Sequence, residues 1–235
     1  MDAPWTYDSI SQQFDSIMNR YDVERRLNVV FEQLLRHVSL PGMRLLDAGC
    51  GTGLFSREAA RRGALVHSLD CGKNLLRETR QKGIDLLIAG DAAGMPIRDA
   101  SFDVVLSSEC IEHTASPRDT VHEFARVLRP GGWMVVTCPN AMWRWSCSVA
   151  SALHLRPYHG LENWPSWGEL RTWATEAGIA VHQHVGLHLF PFTISATHPL
   201  LSRLDSWGGR FGKVYVNQCL SGQKIGVTVQ EIHSV

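Results

Sequence analysis

The chain has no excess charge of either sign: 23 lysines and arginines are matched by 23 aspartates and glutamates over 235 residues. Without a net field there is no global attraction to nucleic acid or to an anionic membrane. No apolar run approaches 18 residues, the most concentrated one being Trp133–Cys138, so a transmembrane helix is excluded. The opening MDAPWTYDSISQQFD carries acids, with neither a basic start nor an apolar centre, and does not read as a secretory signal. The six cysteines (Cys50, Cys71, Cys110, Cys138, Cys147, Cys219) form no CxxC pair. They read as reduced thiols of a cytoplasmic protein rather than a disulfide frame. Repeats, low-complexity tracts and Ser/Gly/Pro linkers are missing too, so one domain is expected. At 44% hydrophobic and 20% charged, that domain can bury a full core.

What the chain does contain is alternation. Apolar runs at Met43–Ala48, Ala64–Leu69, Ile84–Ala89, Phe102–Ser107 and Trp133–Cys138 read as strands. Helical stretches at Leu54–Arg62 and Lys73–Lys82 lie between them, and Ser116-Pro117-Arg118-Asp119 opens another. Strands apolar on both faces, alternating with helices, mean a parallel sheet covered on both sides. The expected layout is a helical cap over residues 1–40, a ligand-binding core over 41–139, an insert over 140–165, and a C-terminal helix and strands over 166–235. The cap carries Ile10, Phe14, Ile17 and Tyr21, then Leu27, Val30, Phe31, Leu34 and Leu35, at helical spacing. The insert crowds Trp143, Trp145, Pro157, Tyr158, His159 and Trp164 after a strand's carboxyl end, where it would overhang the ligand crevice as a substrate cover.

The turn after the first strand is Asp47-Ala48-Gly49-Cys50-Gly51-Thr52-Gly53. Its glycines allow a sharp bend and close approach of backbone N–H groups to a ligand. A dinucleotide fingerprint would need a further glycine where Leu54 stands. Asp47 would repel a pyrophosphate, so the ligand end at this turn should be cationic. Asp70, ending the second strand, is placed to accept from two ribose hydroxyls. Gly90-Asp91-Ala92 offers a carboxylate for an exocyclic amine and an N–H for a ring nitrogen. Ribose, adenine and a cationic amino-acid tail together describe S-adenosylmethionine.

DAGCGTG, the aspartate ending strand two, GDAAGMP, FDVVLSSE and RVLRPGGWMVVTCPN follow one another in an order that resembles the class I S-adenosylmethionine-dependent methyltransferases. The resemblance implies a Rossmann-like, doubly wound sheet of seven mostly parallel strands, the last antiparallel, with Gly186-Leu187-His188 closing strand six and Lys213–Leu220 as strand seven. It places the cofactor on Asp47, Gly49, Cys50, Gly51, Gly53, Asp70, Cys71, Asp91, Ala92 and Ser107. Glu162-Asn163-Trp164 and Gly186-Leu187-His188-Leu189-Phe190-Pro191 are similar to the end of the ubiquinone-pathway O-methyltransferases, which carry a histidine at the position of Glu162.

Activation of the methyl acceptor rests on Glu109-Cys110-Ile111-Glu112-His113. A phenol of pKa near 10 is about one part in a thousand ionised at pH 7, a deficit of about 4 kcal/mol that a base or a metal must supply. In a helix, Glu109, Glu112 and His113 would share one face, an oxygen-rich set suited to Mg²⁺ or Mn²⁺, with Zn²⁺ an alternative. Without metal, His113 or Glu109 would serve as general base. His182, His184 and His188 would share one face of a strand, His188 reaching the pocket. Trp143, His159, Trp164 and His188 are the expected acceptor contacts, whereas Trp167 and Trp173 are expected to pack the outer helix.

The expected activity is methyl transfer to a small molecule, foremost to a phenolic or other hydroxyl oxygen in quinone or secondary metabolism. C- or N-methylation and an RNA 2′-O-methyltransferase are the alternatives, as is a donor-binding protein without chemistry. Arg25-Arg26, Arg61-Arg62 and Arg77/Arg80/Lys82 are interspersed with acids rather than forming a basic stripe, so no nucleic-acid partner is expected. A homodimer is compatible with the sequence.

Overall fold

The computed structural model describes residues 8–145, 161–190 and 197–226. His159 and most of the expected insert lie outside the described residues. Seven strands form one sheet: β1 (Arg44–Ala48), β2 (Leu65–Asp70), β3 (Leu86–Ala89), β4 (Phe102–Ser108), β5 (Leu128–Pro139), β6 (Ile179–Leu187) and β7 (Asn217–Lys224). Their spatial order is β3-β2-β1-β4-β5-β7-β6, with β7 antiparallel to both β5 and β6. The order reverses between β1 and β4, and the crevice beyond their carboxyl ends is where such sheets take ligands.

Helices cover both faces. On the N-terminal side, α1 (Ser11–Ile17) and α2 (Arg20–Asn28) lead into a π-helical turn, Val29–Leu34, which buries Val29, Val30, Phe31 and Leu34 together. α3 (Leu54–Arg61), α4 (Lys73–Gln81), α5 (Pro117–Val127) and α6 (Trp167–Glu176) follow their strands. α5 starts where Ser116 accepts from Asp119 N–H with Pro117 in the first turn, and Val121, Phe124 and Ala125 face the sheet. Ser166 and Glu169 cap each other reciprocally at the start of α6. Two short helices, α7 (His198–Leu204) and α8 (Gly208–Phe211), precede β7.

Alternate strand residues divide the core. Leu46, Val105, Met134 and Leu220 pack with Phe124 and Leu170 on one face. Leu45, Val104, Val135 and Cys219 pack with Phe31, Leu34 and Phe55 on the other.

Two details differ from the sequence expectation. β7 begins at Asn217 rather than Lys213, because residues 212–214 form a 3-10 turn that seats the buried Tyr215 first. β6 carries a bulge between Val181 and Gln183, which breaks the alternation expected for its histidines. His182 packs on Trp133, whereas His184 stacks at 3.4 Å on Trp167 and bonds Gln218. Burial drives the His184 pKa down to about 4, which keeps it neutral.

Candidate active site

The glycine turn forms as the sequence suggested. Gly49, Gly51 and Gly53 all have positive φ (75°, 53° and 80°), a region open to glycine at little cost. Gly49 is needed twice over, since a methyl group there would overlap Cys110. Asp70 closes β2, and its carboxylate accepts from the Gly51 and Gly72 backbone N–H groups, both at 2.8 Å. A carboxylate offers about four acceptor positions, so this pair does not saturate it. Burial, the main effect, raises its pKa against the hydrogen bonds.

Asp47 lies lower, 1% exposed within β1, where Ser56 Oγ donates to it at 2.5 Å. Burial, reinforced by Asp70, pushes its pKa up to about 7. Ser107 is buried and donates to Ala48 O, tying β4 to the turn. Cys50 is buried beside Thr79, and Cys71 is exposed next to Asp70. Ala92 is buried, while exposed Asp91 accepts from Ala93 N–H at 2.9 Å. These residues therefore occupy the carboxyl ends of β1, β2, β3 and β4 around one crevice.

Beyond β4 the geometry departs from the expected helix. Glu109 has φ 53°, a left-handed conformation strained for a residue with a side chain. Helical turning begins only at Ile111, so Glu109, Glu112 and His113 do not share a face. Among the described residues no three His, Cys, Asp or Glu side chains come together as a metal-ligand set. The Mg²⁺ or Mn²⁺ expected on this trio finds no support among the described residues. Glu109 instead accepts from Thr137 Oγ1 (3.1 Å) and Asn217 Nδ2 (3.0 Å). Burial, set against the Arg26 charge, raises its pKa. Glu112 is 1% exposed, its Oε2 has no hydrogen-bond partner among the described residues, and burial drives its pKa well up. His113 is partly exposed, with Nδ1 on Leu161 O at 3.0 Å.

His188 follows β6 in a left-handed conformation (φ 60°) and is fully buried, with Nε2 3.0 Å from Asp22 Oδ1. Asp22 also receives Arg26 through Nε (3.0 Å) and Nη2 (2.6 Å), while Arg26 Nη1 donates to Ser108 Oγ. The Asp22 carboxyl is held below its ordinary pKa: Arg26 and His188 outweigh its burial. Thus α2, the ends of β4, β5 and β6 and the start of β7 bring the buried Asp22, Arg26, His188 and Asn217 together with the half-buried Glu109 in one polar cluster. Asp22 and Asn217 carried no sequence signal as site residues, and Arg26, expected with Arg25 on a solvated helix face, is instead 6% exposed.

Trp143 donates through Nε1 to Val214 O and stacks on Trp145. Trp164 lines a separate open cleft of about 340 Å³ with Arg118, Arg144, Asn163 and Trp173. The structure thus gathers Glu109 and His188 but leaves His113, Trp143 and Trp164 outside the polar cluster.

A family model described as "Methyltransferase domain" matches residues 46–136. The ubiquinone biosynthesis O-methyltransferase of Nitrosococcus oceani is 31% identical over 174 residues, 69% of this chain and 74% of that protein. Its namesake from Erwinia tasmaniensis is 26% identical over 201 residues, 80% and 83% of the two chains. The chain belongs to the class I S-adenosylmethionine-dependent methyltransferases. The methyltransferase shares its fold with a solved S-adenosylmethionine-dependent methyltransferase from Thermotoga maritima. That match has a TM-score of 0.67 at 18% identity, over 94% of this chain and 99% of that one. Magnesium protoporphyrin IX methyltransferase from Synechocystis, solved with bound S-adenosylhomocysteine, gives 0.62 at 16% identity, over 86% and 83%. Among the described residues of this methyltransferase, no helix is long and apolar enough to cross a membrane.

Proposed function

We propose that this methyltransferase alkylates a hydroxyl oxygen of a small, largely apolar acceptor, with Glu109 taking up the proton. S-adenosylmethionine, when bound, supplies a methyl group already activated by its sulfonium. The Gly49–Gly53 turn and Asp70 would hold that donor, Asp70 through the ribose hydroxyls, with Asp91 and Ala92 at the base. The names of the curated relatives support oxygen as the acceptor atom.

The observation that carries the proposal is Glu109 itself. It is a half-buried carboxylate in strained backbone at the end of β4, one residue from the Cys110 that packs on Gly49. Desolvation raises its pKa above the ordinary carboxylate value, which favours general-base work. Thr137 and Asn217 hold its orientation, and Arg26 balances its charge. His113, half-buried like Glu109, is tied through Nδ1 to Leu161 O and so is less free to take up a proton there.

The test is calorimetry with S-adenosylhomocysteine on wild type and Asp70→Ala, alongside methyl transfer from labelled donor to a panel of phenols, amines and carbon acids. Donor binding lost in Asp70→Ala and label recovered on oxygen support the proposal. Label on nitrogen or carbon alone would overturn the assignment of the acceptor atom.

A further inference from the structure

The segment Asp8–Ile17 runs along α4 and is pinned near both ends of that helix. At its start, Asp8 Oδ1 accepts from the backbone N–H of Asn74 (2.6 Å) and Leu75 (3.1 Å). Its Oδ2 accepts from Asn74 Nδ2 at 3.0 Å. This anchor stands beside Gly72 and the Asp70 carboxylate. Towards the far end of the segment, Asp15 pairs with Lys82 Nζ at 2.7 Å and accepts from Thr52 Oγ1, and Lys82 Nζ also donates to Thr52 O at 2.7 Å. Thr52 lies between Gly51 and Gly53 in the glycine turn, so the second anchor grips the turn itself.

Phe14 sits between the anchors. Its ring comes within 3.8 Å of the point where a Cβ on Gly51 would stand, and among the described residues, apart from Gly51's chain neighbours, no other heavy atom lies within 4 Å of that point. One aromatic side chain therefore packs against the middle of the turn. An aromatic ring there supplies apolar cover for a bound nucleoside and excludes water from the sulfonium.

Resting on the donor reading above, we propose that Phe14 is a donor-contacting residue and that Asp15 and Lys82 are the pair that positions it. The pair is partly exposed, with side chains 40% and 17% accessible. It is therefore a weak latch, able to release for donor entry and product exit.

The test measures the affinity of S-adenosylhomocysteine by calorimetry for wild type, Phe14→Ala, Phe14→Leu, Asp15→Asn, Lys82→Met and the Asp15→Asn/Lys82→Met double variant. Phe14→Ala is expected to weaken binding about tenfold, with Phe14→Leu recovering part of the loss. Each latch variant is expected to weaken binding severalfold, the double variant no more than the worse single one. Losses that multiply in the double variant, or a Phe14→Ala affinity within about twofold of wild type, overturn the proposal. Hydrogen exchange gives a second measurement that needs no variant: amides 8–17 should slow when S-adenosylhomocysteine is added, and unchanged exchange also overturns it. If wild type shows no binding heat at all, the donor reading fails instead, a different outcome from an intact donor site that ignores the latch.

Discussion

Asp22 and His188 stand 166 residues apart in the chain and 3.0 Å apart in space, Oδ1 against Nε2. The same aspartate grips the buried Arg26 with two hydrogen bonds, so one carboxylate neutralises the centre of the polar cluster. Asp22→Ala would leave the guanidinium buried without this partner, a loss of about 3–5 kcal/mol. Replacing both ends, as in Asp22→Leu with Arg26→Met, should cost less, because no guanidinium is then stranded and the Glu109 carboxyl, which loses its counter-charge, can stay protonated. Urea unfolding of the two variants separates these outcomes; a single variant as stable as wild type would show that the cluster does not hold α2 to the sheet.

Gly49 faces two constraints, a φ of 75° and the Cys110 side chain against its backbone. Gly49→Ala should therefore abolish donor binding, through about 1–2 kcal/mol of backbone strain plus the displacement of Cys110. Adding Cys110→Gly removes both the Sγ and the Cβ overlap but not the strain, so the double variant should regain stability and only part of its affinity. Calorimetry with S-adenosylhomocysteine and thermal melts check the two halves of this expectation. Full recovery in the double variant would mean that φ carries no cost.

The parallel core was legible because strands buried on both faces must be continuous apolar runs, and because GxGxG leaves few alternatives for the turn that follows. The carboxyl edge was less so. The left-handed backbone of Glu109 has no mark in the sequence, since only glycine advertises positive φ, and a helix was the natural expectation for Glu-x-x-Glu-His. The bulge after Val181 similarly hid that His182 and His184 meet different neighbours. Asn217, Asp22 and Arg26 act across 82 to 166 residues of chain, and no local periodicity reports such contacts.

Asp47 makes stability depend on pH. Its pKa rises from 3.8 in the unfolded chain to about 7 when buried. Between those values the folded state holds a proton that the unfolded state has released, so stability falls as pH rises through this window and levels off above it. A shift of about three units corresponds to roughly 4 kcal/mol. Asp47→Asn cannot ionise and should keep its stability across the same range, with Ser56 still able to bond the amide. Unfolding both proteins at pH 4.5 and pH 8 tests this: wild type should lose several kcal/mol relative to the variant, and parallel curves would count against burial as the cause.

Glu109 and His113 are the two bases the sequence offered, and their surroundings now separate them. Both are half-buried, but Glu109 sits in strained backbone and is held by Thr137 and Asn217, whereas His113 is bonded through Nδ1 to Leu161 O. Glu109→Gln keeps the shape and the acceptor oxygen but cannot take a proton. Turnover of a phenolic acceptor should fall by about 10²- to 10⁴-fold, with donor affinity within about threefold because Glu109 makes no bond to the glycine turn. His113→Ala should reduce turnover by less than about tenfold. The pH profile adds a sign. Only ionised Glu109 can accept the proton, and desolvation raises its pKa, so activity should rise with pH along a limb lying above the ordinary carboxylate range. That limb should vanish in Glu109→Gln and survive in His113→Ala. The reverse pattern, a limb lost only with the histidine, would move the proton acceptor to His113 and leave Glu109 as a strut for the polar cluster.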